Sequence, residues 1–110
     1  MRKIEQEMNQ AIIQEVKWKK DNTEVVVLDT MLLIKLHGNT IAKLDRVTRE
    51  FSISSGGWAT RTTCSRLNAL VGRLFKVNIV KGELLLSKLD KKEFKVVKQI
   101  VVNSGWVLVA

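Results

Sequence analysis

The chain has 110 residues, 45% hydrophobic and 27% charged, so it is long enough to bury a core and too apolar to be disordered. It has no proline and no apolar run of transmembrane length, and its single cysteine excludes an intramolecular disulfide and fits a reducing compartment. Nineteen Lys and Arg against eleven Asp and Glu give a net charge of +8, and residues 61–110 hold ten of the basic and three of the acidic residues. This concentration favours polyanionic partners, although lysines also protect sheet edges. We expect a single domain over residues 1–110.

Residues 2–19 have the pattern of an amphipathic helix. Apolar residues recur every four positions, with Ala11 beside them: Ile4, Met8, Ile12 and Val16. Acidic residues in the first turns and lysines in the last complement the helix dipole. Asp21-Asn22 is the predicted end of this helix.

Short β-branched or alternating segments follow, separated by turn residues. They predict strands over 23–28, 31–37, 41–45 and 50–54, with turns at Asp29-Thr30 and Gly38-Asn39. Tight turns between successive strands indicate an antiparallel meander with the first helix on one face. His37 is the only histidine and has no other ligands at workable spacing, so no metal site is expected.

A second amphipathic helix is predicted from about Thr63, with Thr62 or Thr63 as its N-cap. Its apolar positions share one face: Cys64, Leu67, Leu70, Val71 and Leu74. Cys64 is therefore expected to face the core and not to act as a nucleophile. Arg66 and Arg73 are seven residues apart, which predicts that both lie on the side away from the leucines.

The remainder predicts strands over 75–80, 83–88, 94–102 and 106–109, with a hairpin at Lys81-Gly82. The fold class is therefore α+β, with two helices packed on antiparallel sheet of six to eight strands, and the sequence defines neither the strand order nor whether one sheet or two form. The apolar tail at 106–109 must pair within its own sheet or with a partner chain, and the second alternative predicts a homodimer.

Two motifs carry a resemblance to a family of small bacteriophage proteins. Residues 37–42 read His-Gly-Asn-Thr-Ile-Ala, and residues 57–68 fit Gly-Trp-x-Thr-x-Thr-Thr-x-x-Arg-Leu-Asn. The likeness covers roughly residues 31–72. It implies a phage origin and a location in the host cytoplasm, but no activity, cofactor or catalytic residue.

No phosphate-binding loop, nucleophile elbow or zinc cluster is present, so we expect neither enzymatic activity nor a cofactor. The leading hypothesis is a basic accessory protein that binds DNA or RNA without sequence specificity. Free N–H groups at the second helix suit phosphate and a tryptophan suits a base. The candidate residues are Trp58, Thr60, Arg61, Thr62, Thr63, Arg66 and Arg73.

Each candidate also has a purely structural interpretation: the threonines cap the helix, Gly56 and Gly57 form a turn, and Trp58 fills the core. The alternative function is a phage inhibitor that binds a host defence system or host enzyme. Its binding surface would be the lysine-bearing strands between Lys76 and Lys98, or an open sheet edge. A structural or assembly role is a third hypothesis.

Overall fold

The computed structural model describes residues 1–109 and begins with a short helix, α1 (Lys3–Gln14). Glu5 reaches back to accept a hydrogen bond from the backbone N–H of Arg2 at 3.2 Å, which caps the first turn. Met8 and Ala11 are buried, as the apolar pattern predicts. The helix ends earlier than expected because Glu15 adopts the left-handed conformation, at φ 53°.

The predicted C-terminal part of the first helix is instead a strand, β1 (Trp18–Lys20), which pairs with β2 (Thr23–Val27). The segment Asp21-Asn22 is therefore a hairpin turn and not a helix cap, and Asp21 has φ 52°. The prediction was wrong here because pairing with β2, which lies outside the segment, determines the conformation of these residues.

The meander is confirmed. After β2, three further strands follow as antiparallel neighbours: β3 (Met31–Leu36), β4 (Asn39–Asp45) and β5 (Phe51–Ile53). The turn between β3 and β4 lies at His37-Gly38, one residue before the predicted pair, and both residues have positive φ, as a type I′ turn requires. A bulge follows in β4, so that Ile41 and Ala42 are both buried.

The second helix, α2 (Arg61–Leu70), begins two residues before the predicted start. Its N-cap is Thr60, whose Oγ1 accepts a hydrogen bond from the backbone N–H of Thr63 at 3.1 Å, so neither Thr62 nor Thr63 is the cap. The helix packs against α1 and β6. Leu67 is fully buried, and Cys64 packs against the core as predicted.

The C-terminal part of the chain forms a second sheet. Its three antiparallel strands lie in sequence order: β6 (Phe75–Val80), β7 (Glu83–Leu89) and β8 (Val96–Val102). The final strand, β9 (Val107–Leu108), returns to the first sheet and pairs with β5. The apolar tail is therefore paired within the chain, and the homodimer stays a prediction.

The sheets have the orders β1-β2-β3-β4-β5-β9 and β6-β7-β8, which confirms the α+β class with two helices; residues 1–109 hold nine strands in two sheets, more than the six to eight expected. One cluster of buried side chains joins the two sheets and both helices, including Met8, Ile34, Leu67, Val77 and Leu84. Burial of each such large side chain stabilises the fold by about 1.5–3 kcal/mol. No helix in the described part of the chain is long and apolar enough to cross a bilayer.

Candidate nucleic-acid interface

The loop between β5 and α2 is held by backbone hydrogen bonds to the hydroxyl oxygens of two buried serines. Ser54 Oγ accepts from the N–H of Gly56 and Ser55 Oγ accepts from the N–H of Gly57, both at 3.1 Å. Gly56 has φ +65°, and a Cβ at this position would lie 3.2 Å from side-chain atoms of β4. The loop therefore needs glycine at this position for both its conformation and its close approach to β4.

Trp58 emerges from this loop into solvent, with 64% of its surface exposed. The interpretation in which Trp58 fills the core is therefore wrong. It lines a cleft of about 400 Å³ together with residues from the β3–β4 hairpin and from the start of α2: Leu36, His37, Asn39, Ile41, Ser55, Thr60, Thr62 and Thr63. The cleft has an apolar floor and a rim of polar groups, an arrangement typical of small-ligand sites.

The N-terminus of α2 opens into this cleft. The hydroxyl groups of Thr60 and Thr63 are hydrogen-bonded to each other, with their oxygens 3.0 Å apart, and the N–H of Thr63 donates to the hydroxyl of Thr60. Within residues 1–109, no acceptor for the N–H groups of Arg61 and Thr62 is found, as expected for the first turn of a helix. These two groups and the helix dipole favour an anion.

Arg66 does not lie on an exposed positive surface, and this prediction was wrong. Its side chain is buried, and Nη1 lies 2.7 Å from Glu5 Oε2 in an ion pair that joins α2 to α1. Nε also donates to Thr23 Oγ1 at 3.0 Å. A buried guanidinium with these partners is not accessible to a phosphate, so Arg66 has a structural role.

The same pair determines the charge state of Glu5. Burial would raise the pKa of this carboxyl group, but hydrogen bonds from Ser65 Oγ, at 2.6 Å, and from Arg66 outweigh burial and lower the pKa below its usual value. Glu5 is therefore an anion at neutral pH, as the ion pair requires. The sequence signal for this pair is the position of Glu5, three residues before Met8 on the buried face of α1.

Arg73 also lies away from the cleft. The helix ends at Leu70, and Arg73 is an exposed residue beyond its C-terminus. A helix of 10 residues is about 15 Å long, so Arg73 and the free N–H groups lie at opposite ends of it. Arg61 is exposed and is the first residue of α2, so of the three arginines only Arg61 lies near the N-terminus of this helix.

Arg61 does not line the Trp58 cleft but a larger one of about 540 Å³ between α1, α2 and β6. The polar groups there already have partners: Asn68 donates to the carbonyl of Val77 at 2.6 Å and accepts from its N–H at 2.8 Å. Cys64 Sγ donates to the same carbonyl at 3.2 Å, and burial raises the pKa of this thiol. This cleft therefore offers mainly structural contacts, and no group of three metal-ligating side chains occurs within residues 1–109.

The fold and the cleft define a small basic α+β protein with an exposed tryptophan beside an open helix N-terminus. The family model of the Kyanoviridae Gp96 protein matches residues 1–104, and the chain belongs to this phage protein family. The match extends well beyond residues 31–72 and confirms the phage origin. No curated protein and no solved structure matches the chain.

Proposed function

We propose that the chain is a non-enzymatic phage accessory protein that binds nucleic acid in the host cytoplasm. A base would stack on Trp58, and a phosphate would accept hydrogen bonds from the N–H groups of Arg61 and Thr62. The observation that carries the proposal is the 64% exposure of Trp58 at the cleft. An indole in that position adds little to the core, whereas it offers a flat surface to an aromatic ligand.

The charge of the chain supports the same ligand. The net charge of +8 attracts a polyanion, and the exposed guanidinium of Arg61 lies at the N-terminus of α2. None of these contacts reads the edge of a base, so the expected binding is independent of sequence. Phosphate contacts of this kind also make the affinity fall steeply with salt.

The test compares variants that differ only in position. Arg61→Glu and Arg73→Glu make the same charge change at exposed arginines, but only Arg61 lies at the N-terminus of α2, where the free N–H groups are. With labelled DNA and RNA oligonucleotides at about 50 mM salt, Arg61→Glu is expected to weaken binding more than Arg73→Glu does, because phosphate contacts are local. Trp58→Ala is expected to weaken binding by about 10-fold, and Trp58→Phe by much less, since a phenyl ring still stacks.

Two results would overturn the proposal. The first is the absence of binding to both DNA and RNA at low salt. The second is binding that Arg61→Glu and Arg73→Glu reduce equally while Trp58→Ala has no effect, because the affinity would then come from overall charge and not from the cleft.

A second candidate function, the inhibitor of a host defence system or host enzyme, is supported by the open edge of the second sheet. Strand β8 pairs only with β7, and Val96, Val97 and Val101 are 53%, 62% and 43% exposed. Lys98 lies between these valines. Such an edge suits an added strand from an acidic protein, because the backbone groups pair and the lysine complements the charge.

This candidate predicts a stoichiometric host protein that stays bound after nuclease treatment of the lysate. Val97→Lys is expected to abolish recovery of that host protein with the chain. Val80→Lys, at a 46% exposed valine on β6, is the matched control and should leave its recovery unchanged. Loss of all partners on nuclease treatment would exclude this function and favour the nucleic-acid proposal.

A further inference from the structure

A second tryptophan, Trp106, is exposed at the same end of the first sheet. It lies immediately before β9 and is 43% exposed, and Lys43 Nζ lies 4.4 Å from the centroid of its ring. This distance is that of a cation–π contact. Lys43 lies on β4, next to the fully buried Ala42, so its side chain leaves the face of the sheet opposite the core. In the described part of the chain, Lys43 has no carboxylate partner.

Hydrogen bonds connect the loop that carries Trp58 to the loop that carries Trp106. The carbonyl oxygen of Asn103 accepts from the N–H of Ser55 at 2.8 Å and from Ser54 Oγ at 3.3 Å. Trp58 is three residues after Ser55, and Trp106 is three residues after Asn103. Three residues span at most about 10 Å on each side of this contact, so the two tryptophans lie at most about 25 Å apart, which a flexible strand of several nucleotides can span.

We propose that Trp106 and Lys43 form a second stacking site, and that the ligand is a single-stranded nucleic acid which runs from the Trp58 cleft to Trp106. This inference rests on the proposed function. Both faces of a base inside a duplex are already stacked on other bases, so two exposed indoles select unpaired bases. The ammonium group of Lys43 would then contact the phosphate next to the base on Trp106.

The acidic residue nearest in sequence to Lys43 limits the direction of this path. Asp45 follows Lys43 by two residues on β4, on the same face of the strand. Hydrogen bonds from the N–H groups of Thr48 and Val47 lower its pKa, so it remains an anion and repels phosphate. The favourable path therefore leads from Lys43 towards the loop of Ser54 and Trp58, which is the opposite end of β4.

The experiment measures fluorescence anisotropy with labelled oligothymidylate of two lengths, about 2 and about 12 nucleotides, and with a duplex of the longer length. The full chain is expected to bind the longer single strand at least about 10-fold more tightly than the duplex. Trp106→Ala is expected to weaken binding of the longer strand by about 10-fold and that of the dinucleotide by at most about 2-fold, because a dinucleotide still binds at Trp58 and cannot span both indoles. Trp106→Phe should stay within about 3-fold of the original affinity, and Lys43→Gln should reduce the salt dependence by about one phosphate contact.

The outcomes separate this inference from the function on which it rests. If Trp58→Ala weakens binding and Trp106→Ala does not at either length, the second stacking site is wrong and the proposed function stands. Equal affinity for single strand and duplex would overturn the single-stranded ligand. If neither ligand binds at low salt, the proposed function itself fails. Urea unfolding of Trp106→Ala and Trp106→Phe distinguishes lost stacking from lost folding.

Discussion

Substitution of Arg66 by alanine is expected to destabilise the fold far more than substitution of an exposed arginine. Arg66 is 3% exposed and makes an ion pair of 2.7 Å with Glu5, which is 2% exposed. Without the guanidinium, the carboxylate of Glu5 keeps only the hydroxyl of Ser65 and the N–H of Arg2 as donors. Thr23 Oγ1 also loses a donor at 3.0 Å, and the missing side chain leaves a cavity.

The expected loss is about 3–5 kcal/mol, which is the usual effect of removing one partner from a buried ion pair. A domain of this size has a free energy of unfolding of about 5–15 kcal/mol, so the variant would retain a reduced margin or unfold. The loss should also depend on pH. Without Arg66, fewer donors oppose burial, so the pKa of Glu5 rises from its lowered value and the variant loses less stability than the original chain as the pH falls. The difference between the original chain and the variant should therefore be smaller at acidic pH than at pH 7.

Urea unfolding followed by circular dichroism measures this loss, with Arg73→Ala as the matched control. Arg73 is exposed, so its substitution should change the free energy of unfolding by less than about 0.5 kcal/mol. The double variant Glu5→Leu with Arg66→Met replaces the pair by apolar side chains, and it should recover most of the loss. If Arg66→Ala and Arg73→Ala have the same small effect, Arg66 lies in solvent and the role assigned to the ion pair is refuted.

Three further predictions concern stability. Gly56→Ala should cost about 1–3 kcal/mol more than Gly57→Ala, since both glycines have positive φ but only at Gly56 would the Cβ meet atoms of β4 at 3.2 Å; equal losses in urea unfolding would contradict this. Asn68→Asp should cost about 1–3 kcal/mol at pH 7, because a carboxylate cannot donate to the carbonyl of Val77, and thermal unfolding would show no shift if that contact were absent. Because the pKa of Glu5 is lowered in the folded state, ionised Glu5 stabilises the fold at pH values above its unfolded pKa of about 4.3, and this contribution is lost as the pH falls through the lower folded pKa. Glu5→Gln should therefore make the free energy of unfolding less dependent on pH in this acidic range, and an unchanged pH dependence would contradict this role of Glu5.

Most of the strands could be predicted from the sequence because turn residues separate them. Asp29-Thr30 and Lys81-Gly82 lie between strands as expected, and the α+β class follows from them. Strand β1 could not be predicted, because Trp18–Lys20 has only three residues and directly follows the apolar spacing of the helix, which ends at Val16. Only its pairing with β2, in the register Trp18 with Val25, makes it a strand. Such a contact is not encoded in the local pattern.

The candidate site divides in the same way. The cap on α2 and the open N-terminus of this helix follow from local residue types, although the cap is Thr60 and not Thr62 or Thr63. The burial of Arg66 depends on Glu5, which lies 61 residues away in the sequence. Helical periodicity alone places a charged residue in solvent, and only a buried partner reverses this preference. Trp106 was missed because its exposure and its contact with Lys43 arise from the pairing of β9 with β5.

The segment from Gly57 to Asn68 therefore has two parts with different physical roles. A helix of 10 residues is marginal by itself, so tertiary contacts must fix the position of α2. Arg66 binds it to α1, Leu67 enters the core and Asn68 binds it to β6. Variants of Arg66 or Asn68 should lower nucleic-acid binding only in proportion to the unfolded fraction, whereas Trp58→Ala should lower the affinity of a fully folded chain. Affinities corrected for the folded fraction at each urea concentration test this division, because a loss of affinity in folded Asn68→Ala, which keeps the net charge, would place Asn68 in the binding site.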